Sequence, residues 1–329
     1  MNKQIFHGIF VAALVAVGTV VAYPAPWGAD VSTPEKMAAV QERCWKHDTS
    51  KDVKVWPDGK VPFQKRQGPI KFKNHELNQS NVVIGEINDP IFTFFAAPGE
   101  GAKPVVVVLP GGGYFQLGWN KEGTEIAEWL NRNGYSAAVL LYRVPGQRKA
   151  ALCDTQRTIS LLRRDAKKYN IDPGLVGVIG FSAGANLAVR AATCWKERAY
   201  ARVDDADDIS CRPDFQMPIY PWDLLPDNVR KDHLPVDQLK PQYPVSRETP
   251  PAFIAQSQDD PCKIETAVGY YLALQRLHIP CELHVYPFGG HGYGLRKLGT
   301  PCDSWSDLAA IWLKGLKSWR ARSKERTGK

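Results

Sequence analysis

Apolar runs of strand length, rich in Val and Ile, recur at residues 82–87, 91–96, 105–109, 137–142, 176–181, 215–220, 253–257 and 282–286. In several of them, Val105-Val106-Val107-Val108-Leu109 above all, apolar residues do not alternate with polar ones. Such a strand has to be covered on both faces. Helical patterns separate the later runs, at 122–133 (closed by Gly134), 150–169, 183–196, 263–277 and 304–319. Two early strands followed by strands and helices in alternation specify an α/β fold: a mostly parallel eight-stranded sheet with helices on both faces, in a single domain over residues 81–320. One connection is long. Residues 222–250, rich in proline, follow the sixth strand, and their place at a strand's carboxyl end marks a lid or binding loop.

One strand runs straight into a glycine-flanked serine. The segment GVIGFSAGANLA, Gly177 to Ala188, contains Gly180-Phe181-Ser182-Ala183-Gly184, a G-x-S-x-G pattern between a buried strand and a helix. In that setting the glycines allow a tight turn, and the serine hydroxyl is exposed at the sheet's edge. A serine hydroxyl is a weak nucleophile without a base. His291, in YPFGGHGYGL after the last strand, is the candidate, with Gly289, Gly290 and Gly292 freeing the loop to aim its ring. His278 and His284, at a helix end and inside a strand, read as structural. The imidazole in turn needs a carboxylate to fix its tautomer. IAQSQDDPC supplies Asp259 and Asp260 just past the seventh strand; Asp259 is the first choice and Asp260 the alternative. An acyl-transfer site also needs N–H donors for an oxyanion. VVVVLPGGGYF offers the backbone of Gly111, Gly112 and Gly113, and Ala183 adds the N–H at the start of the following helix. The aromatic residues Tyr114, Phe115, Trp119 and Trp222 are candidates to line the pocket, where ring faces suit sugars, or else to pack at its rim.

With these motifs in this order the chain resembles the α/β-hydrolases of the acetyl xylan esterase and BD-FAE type, relatives of the hormone-sensitive-lipase-like esterases. The resemblance covers about residues 82–320. It implies a serine carboxylic-ester hydrolase needing no cofactor or metal, with Ser182, His291 and Asp259 as triad and Gly112, Gly113 and Ala183 as oxyanion donors. It also implies substrates of the class of small esters or acylated polysaccharide. The chain departs from the family's usual Ala-Gly-Gly-His, reading Ala183-Gly184-Ala185-Asn186. That change is expected to alter helix packing or the acyl pocket. Peptidases of the prolyl-oligopeptidase type share the triad but carry a large extra domain, a lipase needs a long apolar channel, and a non-catalytic relative usually lacks a triad member.

Lys3, an apolar run of about 13 residues and small residues up to Ala22 have the layout of a signal peptide, cleaved after Ala22. The run falls short of the ~20 residues of a membrane span. A secreted or periplasmic protein without stable membrane association is therefore expected. Removing residues 1–22 from the 329 leaves 307, enough for one large domain, preceded over 23–80 by a helix (33–45) and an extended arm. The net charge of +8 is concentrated toward a basic tail (321–329); no nucleic-acid motif accompanies it, so a solvated helix end is the reading adopted. Seven cysteines show no C-x-x-C and no zinc-type Cys/His spacing. Cys262 and Cys281, flanking one expected helix, are the first disulfide to test.

Overall fold

The computed structural model describes residues 49–64, 71–74, 82–226 and 238–327, for 71–74 and 317–327 the backbone alone. The expected leader, the helix at 33–45, Cys44 and the middle of the long 222–250 connection lie outside the described residues, as do the side chains of the basic tail. No helix among the described residues is long and apolar enough to cross a membrane.

The strands are β1 (Asp52–Lys54), β2 (Lys71–Asn74), β3 (Val82–Gly85), β4 (Ile91–Phe95), β5 (Lys103–Leu109), β6 (Gln116–Gly118), β7 (Ser136–Leu141), β8 (Ile171–Phe181), β9 (Phe215–Ile219), β10 (Ala252–Ser257) and β11 (Cys281–Tyr286). The principal helices are α1 (Glu125–Arg132), α2 (Arg148–Arg164), α3 (Ala183–Thr193), α4 (Glu265–Arg276) and α5 (Trp305–Thr327). Eight strands form the main sheet in the order β1-β4-β7-β5-β8-β9-β10-β11. It is parallel from β7 to β11 and antiparallel where β4 meets β1 and β7. Valines 105–108 of β5 are wholly buried, as their sequence requires. Alternation along β10 shows how both faces are covered: Phe253 and Ala255 join a core that includes Trp305 and Trp312 of α5, whereas Ala252 and Ile254 join a second core with Val189 of α3 and Leu274 of α4. Burying each of the larger of these side chains, such as Phe253 or Ile254, stabilises the fold by about 1.5–3 kcal/mol.

The membership of the sheet differs from expectation at one edge. Residues 82–85 pair with β2 and β6 in a separate three-stranded sheet, and the main sheet takes its outermost strand, β1, from the segment expected to be an arm. What holds that segment is a buried cluster. Asp154 of α2 accepts hydrogen bonds from the Trp56 indole (2.7 Å) and the Arg143 guanidinium (2.7 Å), and the ion pair is fully buried. A buried charge pair of this kind is costly to break once its partners are in place.

Candidate active site

β8 delivers Ser182 into a turn with φ 53° and ψ −115°, a backbone region that side chains seldom occupy. The turn is held by hydrogen bonds from the Ser182 N–H to the Ile219 carbonyl (3.1 Å) and from the Asn186 N–H to the Ser182 carbonyl (3.0 Å). Its glycines are sterically required. A Cβ on Gly180 would lie 2.1 Å from the Gly184 carbonyl oxygen, and one on Gly184 would lie 1.9 Å from that of Leu109.

Ser182 Oγ is 2.8 Å from His291 Nε2, and His291 Nδ1 is 2.8 Å from Asp260 Oδ2. An ionised carboxylate only accepts, so Nδ1 carries the proton and Nε2 is left to accept from the serine hydroxyl. Asp260 is buried and fixed from other directions, accepting from the Gln256 amide (3.1 Å) and, through Oδ1, from the Cys262 N–H (2.6 Å). Burial pulls the His291 pKa down; hydrogen bonds to Asp260 and Cys262, with the charge of Asp260, outweigh it and hold the ring above its ordinary value.

The expectation that Asp259 faces His291 is corrected. β10 ends at Ser257, whose carbonyl accepts from the Asp260 N–H (3.3 Å), and this turn leaves Asp259 exposed at its tip while Asp260 folds back inward. Asp259 instead accepts from the Gly290 N–H (2.8 Å) and the Gly289 N–H (3.4 Å), bracing the backbone of the histidine loop.

The loop after β5 brings Gly112 (φ 135°) and Gly113 (φ 65°) beside Ser182 along one cavity. A Cβ on Gly112 would lie 2.0 Å from the Gln116 carbonyl oxygen. Among the described residues the N–H groups of Gly112, Gly113 and Ala183 donate to no protein acceptor, whereas the Gly111 N–H donates to Glu122 Oε2 (2.8 Å). Glu122 was not anticipated from sequence, where an acid at a helix start reads as complementing the helix dipole. It lies on a π-helical turn (Asn120–Thr124), is buried, and accepts from the Tyr220 hydroxyl (2.7 Å), which itself accepts from the Gly294 N–H (3.2 Å). Glu122 and Tyr220 thus tie the glycine loop to the histidine loop. Burial, then the Glu122 charge, raises the Tyr220 pKa well above its ordinary value, so the phenol stays a donor.

The cavity, of about 370 Å³, is lined by glycine backbone together with Val83, Gln116, Lys121, Glu122, Ser182 and His291. None of the four aromatic candidates lines it. Tyr114, with φ 62°, turns into the core and donates to Asn186 Oδ1 (2.9 Å); Trp119 is buried; Phe115 is 73% exposed. Trp222 lies under the Arg148 guanidinium, which also covers Tyr114. Asn186 explains the departure from the family pattern through packing: its amide also donates to the Trp222 carbonyl (2.9 Å) and the Tyr243 hydroxyl (2.6 Å), fastening the segment after β9. Cys262 and Cys281, the pair singled out for test, form no bridge with each other. Both are free thiols, and Cys262 lies 3.7 Å from His291 Nε2.

The parallel sheet, the serine turn and the loops that follow its strands define an α/β-hydrolase. Residues 94–217 match the BD-FAE family model. The chain is 30% identical over 229 residues to an acetylxylan esterase of Xylanibacter ruminicola, covering 64% of this chain and 45% of that protein. It is 32% identical over 210 residues to endo-1,4-beta-xylanase B of Butyrivibrio fibrisolvens, covering 58% of this chain and 32% of that protein. The chain thus spans less than half the length of either curated relative. The crystal structure of an acetyl ester-xyloside bifunctional hydrolase from Caldicellulosiruptor lactoaceticus superimposes with a TM-score of 0.65 at 30% identity, over 81% of this chain and 96% of that one. The chain belongs to the α/β-hydrolases of the BD-FAE and acetyl xylan esterase type.

Proposed function

We propose that this protein is a serine carboxylic-ester hydrolase that removes acetyl or similarly small acyl groups from carbohydrate. The observation that carries the reading is the chain of two 2.8 Å contacts from Ser182 through His291 to Asp260, near three backbone N–H groups that donate to no acceptor among the described residues. In the mechanism, His291 Nε2 takes the Ser182 proton as Oγ attacks the ester carbonyl carbon. The N–H groups of Gly112, Gly113 and Ala183 stabilise the oxyanion, each donor worth ~10²–10³ in rate. His291 returns the proton to the departing alcohol oxygen, and an acyl group remains on Ser182. Water, deprotonated by the same nitrogen, then attacks the acyl carbon; the bond to Ser182 Oγ breaks, His291 returns the proton to Oγ, and the carboxylic acid leaves. Asp260 orients the ring and stabilises its charged form. Glu122 acts as a positioning residue, holding the Gly111 end of the donor loop.

A cavity of about 370 Å³, with five glycines among its eleven lining residues, has room for a small acyl group and part of the alcohol that carries it. The carbohydrate half of the reading is supported by the names of the similar proteins. The xylanase activity in the second relative's name is not proposed, because the aligned region is 32% of that protein. Hydrolysis of 4-nitrophenyl acetate, with Ser182→Ala as control, tests the esterase; activity that survives in Ser182→Ala refutes it. Acetate release from acetylated xylan, compared with acetylated mannan and peracetylated glucose, tests the sugar.

A further inference from the structure

Cys262 has no part in the mechanism above, yet its sulfur lies 3.7 Å from the imidazole nitrogen that accepts the serine proton. Ligand atoms of Asp260, Cys262 and His291 all fall within 4.8 Å of one another. We infer that His291 Nε2 and Cys262 Sγ form a binding site for a thiophilic divalent cation of the zinc class, which reversibly inhibits the enzyme by occupying the position of the Ser182 proton. This inference rests on the serine-esterase reading for its inhibitory consequence, but not for the binding itself.

The geometry suits such an ion. With Zn–N of about 2.05 Å and Zn–S of about 2.3 Å, a nitrogen and a sulfur 3.7 Å apart subtend an angle of about 116° at the metal, close to tetrahedral. The ring is already oriented for coordination. A metal-bound histidine donates its other N–H to a carboxylate, which fixes the tautomer and raises the basicity of the ligating nitrogen. Asp260 does this at 2.8 Å. The same contact that prepares Nε2 to accept a proton prepares it to accept a cation.

Asp260 is a poorer direct ligand. Oδ2 is engaged by His291 and Gln256, and Oδ1 by the Cys262 N–H. That leaves two protein ligands, with water or Ser182 Oγ completing the shell. Two protein ligands instead of the usual three or four make the ion a dissociable inhibitor and not a resident cofactor. On binding, the Cys262 S–H bond breaks, sulfur keeps the electron pair and donates it to the metal, and the proton passes to buffer. No electron is transferred. The Ser182-to-Nε2 hydrogen bond is lost, so attack on the ester stops until the ion leaves.

Binding is tested apart from catalysis by titrating Co²⁺ into the Ser182→Ala protein. A near-ultraviolet thiolate-to-cobalt charge-transfer band is expected, and it should vanish when Cys262→Val is added. In active enzyme, Zn²⁺ should abolish 4-nitrophenyl acetate hydrolysis and EDTA restore it. Cys262→Val, compared with its own metal-free rate at a pH above the acidic limb, should raise the inhibitory midpoint by at least about tenfold, since losing even an outer partner of a metal site typically costs that much. A measurement that needs no variant follows alkylation of the Cys262 peptide by N-ethylmaleimide, which Zn²⁺ should slow. An unchanged inhibitory midpoint in Cys262→Val, a cobalt band indifferent to that substitution, or alkylation of Cys262 unaffected by Zn²⁺ would each overturn the site. A protein inactive on every ester that nonetheless shows the Cys262-dependent cobalt band would leave the site standing and remove the esterase reading instead.

Discussion

Replacing each of the neighbouring acids by asparagine separates their roles. In Asp260→Asn the side chain that meets His291 Nδ1 becomes an amide. The ring then carries its proton on Nε2 in order to accept at Nδ1, and Nε2 no longer takes the proton of Ser182. The same exchange in a well-studied serine protease lowers kcat by ~10⁴, a barrier increase of about 5 kcal/mol. In Asp259→Asn the exposed carboxylate loses its charge but keeps an oxygen able to accept from the Gly290 N–H, now 2.8 Å away. At most one hydrogen bond weakens, at a cost of about 0.5–1.5 kcal/mol, much of it borne by loop stability and not by the transition state. The expected result on 4-nitrophenyl acetate is a fall in kcat of about 10³–10⁴ for Asp260→Asn and less than about tenfold for Asp259→Asn. Circular dichroism melts should confirm that both proteins fold. The assignment of Asp260 fails if Asp259→Asn proves the more damaging of two folded variants.

Other perturbations address the elements that build the site. Gly184→Ala forces a Cβ to within 1.9 Å of the Leu109 carbonyl oxygen, a backbone atom that cannot step aside, so a loss of about 3 kcal/mol and a melting point lower by several degrees are expected; an unchanged melt would show that the turn relaxes freely. Glu122→Gln keeps one acceptor oxygen for two donors and should lower kcat by about tenfold with little change in KM, whereas a purely structural role would show in the melt alone. Since His291 must be neutral to act and its pKa is held above the usual imidazole value of 6.5, the acidic limb of kcat/KM should lie above that pH; Cys262→Val removes a contact that favours the protonated ring and should move the limb toward acid. Asn186→Ala breaks contacts to Tyr114, Trp222 and Tyr243 and should destabilise the protein by about 2–3 kcal/mol, while leaving the acetyl-to-butyryl preference on aryl esters unchanged.

What the sequence made legible is what local pattern controls. Double-sided burial marks β5, and Gly180 and Gly184 mark the serine turn, because each rests on sterics within a few residues of chain. The features that escaped depend on where a turn points or on what a distant segment supplies. Strand periodicity stops at Ser257, so nothing in QSQDDPC says which aspartate folds inward; the turn closed onto the Ser257 carbonyl and the contacts of Asp260 to Gln256, the Cys262 N–H and His291 go with Asp260 as the inward one. Tyr114 was a natural aromatic for the pocket, and its positive φ, imposed by a loop packed against Gln116, sends it into the core. β1, with the sequence Asp-Val-Lys, has too little apolar pattern to read as a strand; it is defined by pairing with β4, where the Thr93 hydroxyl donates to Asp52 (2.7 Å), and by the Trp56 and Arg143 anchors behind it. The encounter of Cys262 with His291 is of the same kind. Asp260 and Cys262 are two residues apart, and the turn that commits the carboxylate to Nδ1 also carries the thiol past the ring to Nε2. Any residue at position 262 inherits that approach to His291 Nε2. A valine there would be inert, whereas a thiol can act as a ligand, so the proposed sensitivity to metal traces to one side chain placed by the turn that also seats Asp260 against His291.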